Sequence, residues 1–230
     1  MRVLTWNLDW ASHTAPSGVK LTELVQTLNP DLAIFTEATI PWLEQLGGHL
    51  ALADADYGYN AHSNRRKVAI WSSDPIHAID RQGSPDLPSG RFVQGTTHGL
   101  NIVGLCIPWS DAHVHTGRKD KARWQDHAAY IKGLSDIAVL RGNNLVVGGD
   151  FNQRNPRYRQ PQHLFDDLQQ TLGHLRWMTE GHIPPVETLS IDHILTSLDI
   201  EAGQACAISN LDVNGSKLSD HFGVYCDLQC

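Results

Sequence analysis

The stretch that decides the fold is "DLAIFTEAT", Asp31–Thr39, a short and almost wholly apolar run that ends in Glu37. Such a run reads as a strand buried on both faces. Upstream, Val3–Trp6 reads the same way and delivers Asn7 and Asp9 to its C-terminal end. Between the two, Leu21, Leu24, Val25 and Leu28 fall at i, i+3, i+4 and i+7, one face of a helix over Lys20–Leu28. Asn29-Pro30 stops that helix, and a loop holding Pro16 and Gly18 is expected before it. Strand, helix and strand close a right-handed crossover with parallel strands. Asn7, Asp9 and Glu37 should then share one rim of a sheet.

Further strands and helices follow. "KVAIWSSDPI" reads as strand and turn, and "RFVQGTTHGLNIVGLCIPW" as two strands around a His98-Gly99 turn. Helical periodicity runs from Asp120 to Arg141, with Gly142 expected as a left-handed cap. Leu145–Val147 is another buried strand, running through Gly148 and Gly149 into Asp150 and Asn152. A short helix is expected near His163–Leu172, and "TLSIDHILTS" and "HFGVYCDLQ" read as the last strands. Strands with a few interleaved helices indicate an α/β or α+β fold of layered sheet and helix. No internal repeat or low-complexity tract interrupts the 230 residues, which are expected to form one domain, 1–230.

Composition narrows the function classes. A formal charge of −7 argues against binding duplex DNA through a generally basic surface. It does not exclude a nucleic-acid substrate held by local clusters. No stretch has the length of a signal peptide's apolar region or of a membrane span. The four cysteines, Cys106, Cys206, Cys226 and Cys230, form no CxxC pair and no zinc ligand box. A reduced cytoplasmic setting is expected, and oligomeric state is not encoded legibly.

Polar residues gather at strand ends: Asn7, Asp9, Glu37, Asp150, Asn152, Asp192, Asp220 and His221. Ligand sites of α/β folds lie there. Two carboxylates ~4 Å apart repel by ~4 kcal/mol at the effective dielectric of protein sites, so converging acids require a positive partner. Oxygen donors without thiolates favour Mg²⁺, Mn²⁺ or Ca²⁺. His193 should point away from Asp192 by strand alternation.

"TWNLDW", "IFTEAT", "GGDFNQR", "SIDHIL" and "LSDHFGV", in this order and spread over nearly the whole chain, resemble the successive motifs of the endonuclease/exonuclease/phosphatase superfamily. The resemblance implies a four-layered α/β/β/α sandwich of two packed mixed sheets flanked by helices, like that of deoxyribonuclease I. It also implies hydrolysis of phosphate esters with Mg²⁺ or Mn²⁺. Carried over, Glu37 would be the principal metal ligand, with Asn7, Asp9 and Asp220 beside it. Asp150 would activate the attacking water, Asn152 would hold a water or phosphate oxygen, and His221, oriented by Asp192, would contact the scissile phosphate. Cys106 departs from the pattern, since many relatives carry Tyr or His there as a further phosphate contact.

Substrate contacts are expected from the loops at 10–18, 60–67, 108–120 and 152–162: Arg65 and Arg66 in the basic run "NRRK", Trp109, His113 and His115, and Arg118 opening "RKDKAR". A nuclease or phosphodiesterase is the leading expectation. Two others stand beside it: an inositol or lipid phosphatase or sphingomyelinase-type phosphodiesterase on the same scaffold, and a catalytically silent nucleotide- or protein-binding module.

Overall fold

The computed structural model describes residues 1–59 and 63–229. Residues 60–62 of the anticipated substrate loop, and Cys230, lie outside the described residues. In chain order the elements are β1 (Arg2–Asn7), α1 (Pro16–Leu28), β2 (Leu32–Thr39), α2 (Ile40–Glu44), β3 (His49–Leu52), β4 (Arg65–Ser72) and β5 (His77–Asp80). There follow β6 (Phe92–Thr97), β7 (Leu100–Cys106), α3 (Gln125–Leu134), a 3-10 turn at Ala138–Arg141, β8 (Leu145–Asp150) and α4 (Gln162–Leu172). The chain finishes with β9 (Arg176–Trp177), β10 (Asp192–Thr196), β11 (Glu201–Ala202), β12 (Cys206–Ile208) and β13 (Gly223–Gln229).

Two mixed sheets result. One has the order β11-β13-β1-β2-β4-β3 with β12 also on β13, and the other β5-β6-β7-β8-β10-β9. Each contains one parallel pair, β1 with β2 and β7 with β8, so the crossover expected from the first forty residues has a counterpart in the second sheet. Alternation along the strands sorts the core. Val3, Ile34, Val68, Ile102, Val146, Ile194 and Val224 fill the space between the sheets. Leu4, Trp6, Ala33 and Phe35 face α1 and α2 on one outer side. Val103, Leu105, Leu145, Val147 and Leu195 face α3 and α4 on the other. The molecule is thus an α/β sandwich of four layers, α/β/β/α.

Two glycines of the second sheet shape the middle layer. A Cβ on Gly104 would lie 2.8 Å from Val68 Cγ2, and one on Gly148 would lie 2.8 Å from Ile34 Cδ1. The side chains of the first sheet occupy the room that those missing methyls leave.

The structure departs from the sequence-based expectation at three places. Helix α1 begins at Pro16, not Lys20, because proline's fixed φ suits the first helical position. Gly18 lies inside that helix, its carbonyl taking bonds from Thr22 Oγ1 and Trp42 Nε1, each at 3.0 Å. The periodic stretch 120–141 is not one helix. Trp124, with φ of 68°, blocks its start, and it ends at Leu134, where Ser135 Oγ donates to the Lys132 carbonyl. The 3-10 turn then buries Leu140 and continues the apolar stripe that periodicity detected. Gly142, at φ −84° and ψ 172°, is extended and is no left-handed cap. No helix among the described residues is long and apolar enough to cross a membrane.

Candidate active site

The rim where β1, β2, β7 and β8 end carries the polar residues. Along β1 the inward positions are Val3, Thr5 and Asn7, and along β8 they are Val146, Gly148 and Asp150, so Asn7 and Asp150 approach from opposite sheets. Asn7 Nδ2 donates to Asp150 Oδ2 at 3.2 Å. The backbone N–H of Asn152 donates to Asp150 Oδ1 at 2.9 Å, and Asn152 Nδ2 reaches the Ile107 carbonyl at 2.9 Å. Strict alternation would send Glu37 outward with Phe35. Its φ of 49° breaks the alternation and turns the side chain into the cleft.

Asp192 sits opposite Asp150 in the β8–β10 ladder. His221, just ahead of β13, is fixed by three bonds: its carbonyl accepts from Trp6 Nε1 at 2.9 Å, its N–H donates to Ser219 Oγ at 3.1 Å, and Ser219 Oγ donates to the Asn7 carbonyl at 2.6 Å. The ring thereby meets Asp192 across the two sheets, Nδ1 to Oδ2 at 2.5 Å. His193 points the other way, as alternation requires, and bonds Thr179 Oγ1 and the Gln153 carbonyl among Phe151 and Trp177.

The electrostatics follow from burial and crowding. Burial and the neighbouring Asp192 push the Asp150 carboxyl up from 3.8 to about 7, despite the opposing effect of His221. Burial alone would lower His221, but the Asp192 carboxylate, with Asp150 and Asp220 behind it, holds the imidazolium at about 10. Asp9 is raised by partial burial and by the charges of Asp220 and Glu37, but it does not itself line the cleft. Its N–H donates to Asn7 Oδ1 at 3.0 Å.

These residues open on a cleft of about 670 Å³. Asn7, Glu37, Asp150, Asn152, Asp220 and His221 line it, and so do Arg65 and Trp109. Asp192 stands behind His221 with 1% exposure. Other expected substrate contacts lie elsewhere. Arg66 folds onto the carbonyls of Ser63 and Arg65, while His113 is buried beneath Tyr59 with ring centroids 4.4 Å apart. Arg118 bonds His113 Nδ1 through its N–H, and neither Arg118 nor the exposed His115 lines the cleft.

The cleft also contains residues that the sequence reading did not single out. Trp10 and Tyr57 stack with centroids 5.8 Å apart, and Tyr59 follows at 5.9 Å from Tyr57. Lys67 Nζ pairs with Glu37 Oε1 at 2.5 Å and lies 5.1 Å from the Trp10 ring. Arg91 lines the inner wall beside Cys106. The positive partner that converging acids demand is therefore supplied in part by the chain itself. Lys67 stood in the basic run "NRRK", whereas no local signal marked Arg91.

The donors fit a hard cation. Glu37, Asp220, Asp150 and Asn7 present oxygens to one cleft with no thiolate among the acids, and burial together with the neighbouring Asp192 disfavours the Asp150 carboxylate in a way that a divalent ion would offset. Asp150, Asp192 and His221 also place one ligand atom each within 4.8 Å of one another. There Nδ1 of His221 is already engaged by Asp192, so the trio is a hydrogen-bonded unit.

Two packed mixed sheets flanked by helices, with acids and a carboxylate-held histidine at their common rim, define a phosphoester-hydrolase architecture. The chain belongs to the endonuclease/exonuclease/phosphatase family, whose family model matches residues 4–221. Its fold resembles that of an AP endonuclease from Archaeoglobus fulgidus, with a TM-score of 0.72 at 12% identity over 100% of both chains. It also resembles the 3′ phosphatase NExo from Neisseria bound to a product DNA hairpin, with a TM-score of 0.67 at 18% identity over 100% of both. TDP2 from D. rerio, complexed with a single-strand DNA product, gives 0.65 at 15% identity over 100% of this chain and 99% of that one. No curated protein sequence matches the chain.

Proposed function

We propose that this protein is a divalent-metal-dependent nuclease or phosphodiesterase. The observation that carries this reading is the meeting, in one cleft, of Asp150 from one sheet with Asn7 and Glu37 from the other, beside a His221 held by Asp192. Glu37 and Asp220, with Asn7 and Asp9 adjacent, would hold Mg²⁺ or Mn²⁺. Such an ion would supply charge to the phosphoryl oxygens and lower the pKa of a water.

The chain's own residues do the rest. Asp150, with its pKa lifted toward neutrality, accepts the proton of the attacking water. Asn152, anchored at the Ile107 carbonyl, borders the same space and holds a water or phosphate oxygen. The His221 imidazolium donates to a phosphoryl oxygen through Nε2, because Asp192 occupies Nδ1. Phosphoryl transfer needs positioning and charge neutralisation above all, and both are provided by side chains fixed on strand ends. The DNA named with the structural neighbours supports nucleic acid as the first substrate class to test.

The test is a panel of plasmid, single-stranded DNA, RNA, cyclic dinucleotides, inositol phosphates and a chromogenic diester. It is run with Mg²⁺, with Mn²⁺ and with chelator. Activity should vanish in chelator and in folded Asp150→Ala and His221→Ala proteins. Turnover that survives these changes would remove the reading.

A further inference from the structure

We propose that Arg91 and Lys67 form an anion clamp on the inner wall of the cleft, binding the non-bridging oxygens of the substrate's phosphoryl group. This rests on the phosphoester-hydrolase reading and adds two residues to it. Arg91 has 2% exposure and Lys67 9%, and both line the cleft. A buried guanidinium normally faces a carboxylate, because an unpaired charge in the interior costs several kcal/mol.

Arg91 has no such partner. Its Nη1 makes only long contacts with Cys106, 3.4 Å to the carbonyl and 3.7 Å to Sγ. Its Nη2 is buried with no hydrogen-bond partner, and among the described residues no acid lies within ion-pair distance of it. The fold nevertheless holds the residue firmly. The Arg91 carbonyl accepts from Tyr130 Oη at 2.7 Å and from the Cys106 N–H at 2.9 Å. A cation kept at this cost, fixed by its backbone in the lining of the cleft, is completed by an anion from outside.

Cys106 lines the same cleft as the two cations, with Arg91 beside it. Burial pushes its thiol up to about 12, and the cations acting against that are Lys67 and Arg91. The thiol stays neutral and binds phosphate poorly, so the polar contact here falls to the two cations of the same cleft. Lys67 extends from β4 with its Nζ between Glu37 and the rings of Trp10 and Tyr57, 5.1 and 5.6 Å from their centroids. It can turn from Glu37 to a phosphoryl oxygen within the same cavity. Arg91 supplies a fork of donors, and Lys67 a movable point charge.

The experiment is calorimetric titration of inorganic phosphate into chelated protein, with kcat and KM measured separately on a chromogenic monoester and a chromogenic diester. Arg91→Met and Lys67→Met should each weaken phosphate binding at least tenfold, Arg91→Lys less, and Lys132→Met on the far side of the molecule not at all. Values of kcat/KM should fall at least a hundredfold on whichever ester the wild type cleaves, and that ester identifies the bound phosphate as terminal or bridging. If Arg91→Met does not fold, the Arg91 Nε–H resonance of the wild type should still shift on phosphate addition. A folded Arg91→Met protein that binds phosphate within twofold of wild type, or an Arg91 signal that does not move, overturns the clamp, as does a displaced pH profile with phosphate affinity intact. A wild type that binds phosphate through Arg91 but cleaves neither ester nor any substrate of the panel above keeps the clamp and loses the hydrolase reading.

Discussion

Asp192 and His221 belong to different sheets, yet Oδ2 of one lies 2.5 Å from Nδ1 of the other. The bond spans the sandwich at its rim. It couples the charge of the histidine to the packing of the two sheets, since neither strand alone could present the pair.

Asp192→Asn keeps the shape and removes the counter-charge. The His221 pKa should drop from about 10 toward its ordinary 6.5, read by NMR of the imidazole carbons. Turnover at pH 8 should fall on the order of 10²–10⁴-fold, the range seen when an imidazole loses its orienting carboxylate or its general-acid role. An unchanged imidazole titration would show that Asp192 does not hold the ring.

Asp150→Asn should abolish turnover and stabilise the fold. The folded carboxyl titrates at about 7 against 3.8 for the free side chain, so its protonated form favours the native state. That contribution is complete below pH 3.8 and is lost as pH rises through 7. In chelator at pH 9 the variant should therefore exceed wild type by roughly 1–4 kcal/mol, with the two converging near pH 4. Urea unfolding at both pH values decides it; a variant less stable than wild type at pH 9 contradicts the assignment.

Glu37→Gln should keep its fold but lose its response to metal. Saturating Mn²⁺ at a hundred times its Kd should stabilise wild type by about 2.7 kcal/mol, and this variant by far less. Differential scanning calorimetry with and without Mn²⁺ reads the difference, and equal shifts would move the principal ligand elsewhere.

Gly149→Ala tests the strand that carries Asp150. Gly149 has φ of 129°, and an added Cβ would lie 1.9 Å from the Leu105 carbonyl oxygen in the parallel β7–β8 pair. The cost should exceed about 4 kcal/mol, by backbone strain and steric overlap together. Circular dichroism and a urea titration would show a protein unfolded or severely destabilised; native stability would mean that the strand pairs differently.

The polar strand ends were legible because an apolar strand that stops at Asn7, Glu37 or Asp150 announces both its burial and its rim. Asp192 was legible with them, since alternation separates it from His193. Arg91 was silent in the sequence: its partner in space, Cys106, lies across the β6–β7 hairpin, and only tertiary packing reveals a guanidinium without an acid. Strands β9, β11 and β12, of two or three residues, are too short to carry a period. The stretch 120–141 misled for the opposite reason, because a helix and a 3-10 turn can bury one continuous apolar stripe.

Gly104 and Gly148 act as the shims of this machine. Because Val68 and Ile34 fill the notches left by those absent methyls, the spacing of the two halves is set deep in the interior, well away from any reacting atom. A single carbon inserted at either position would wedge the halves apart, and Asn7 would drift from Asp150 and His221 from Asp192. Evolution can thus detune catalysis from the interior while every residue at the mouth stays unchanged.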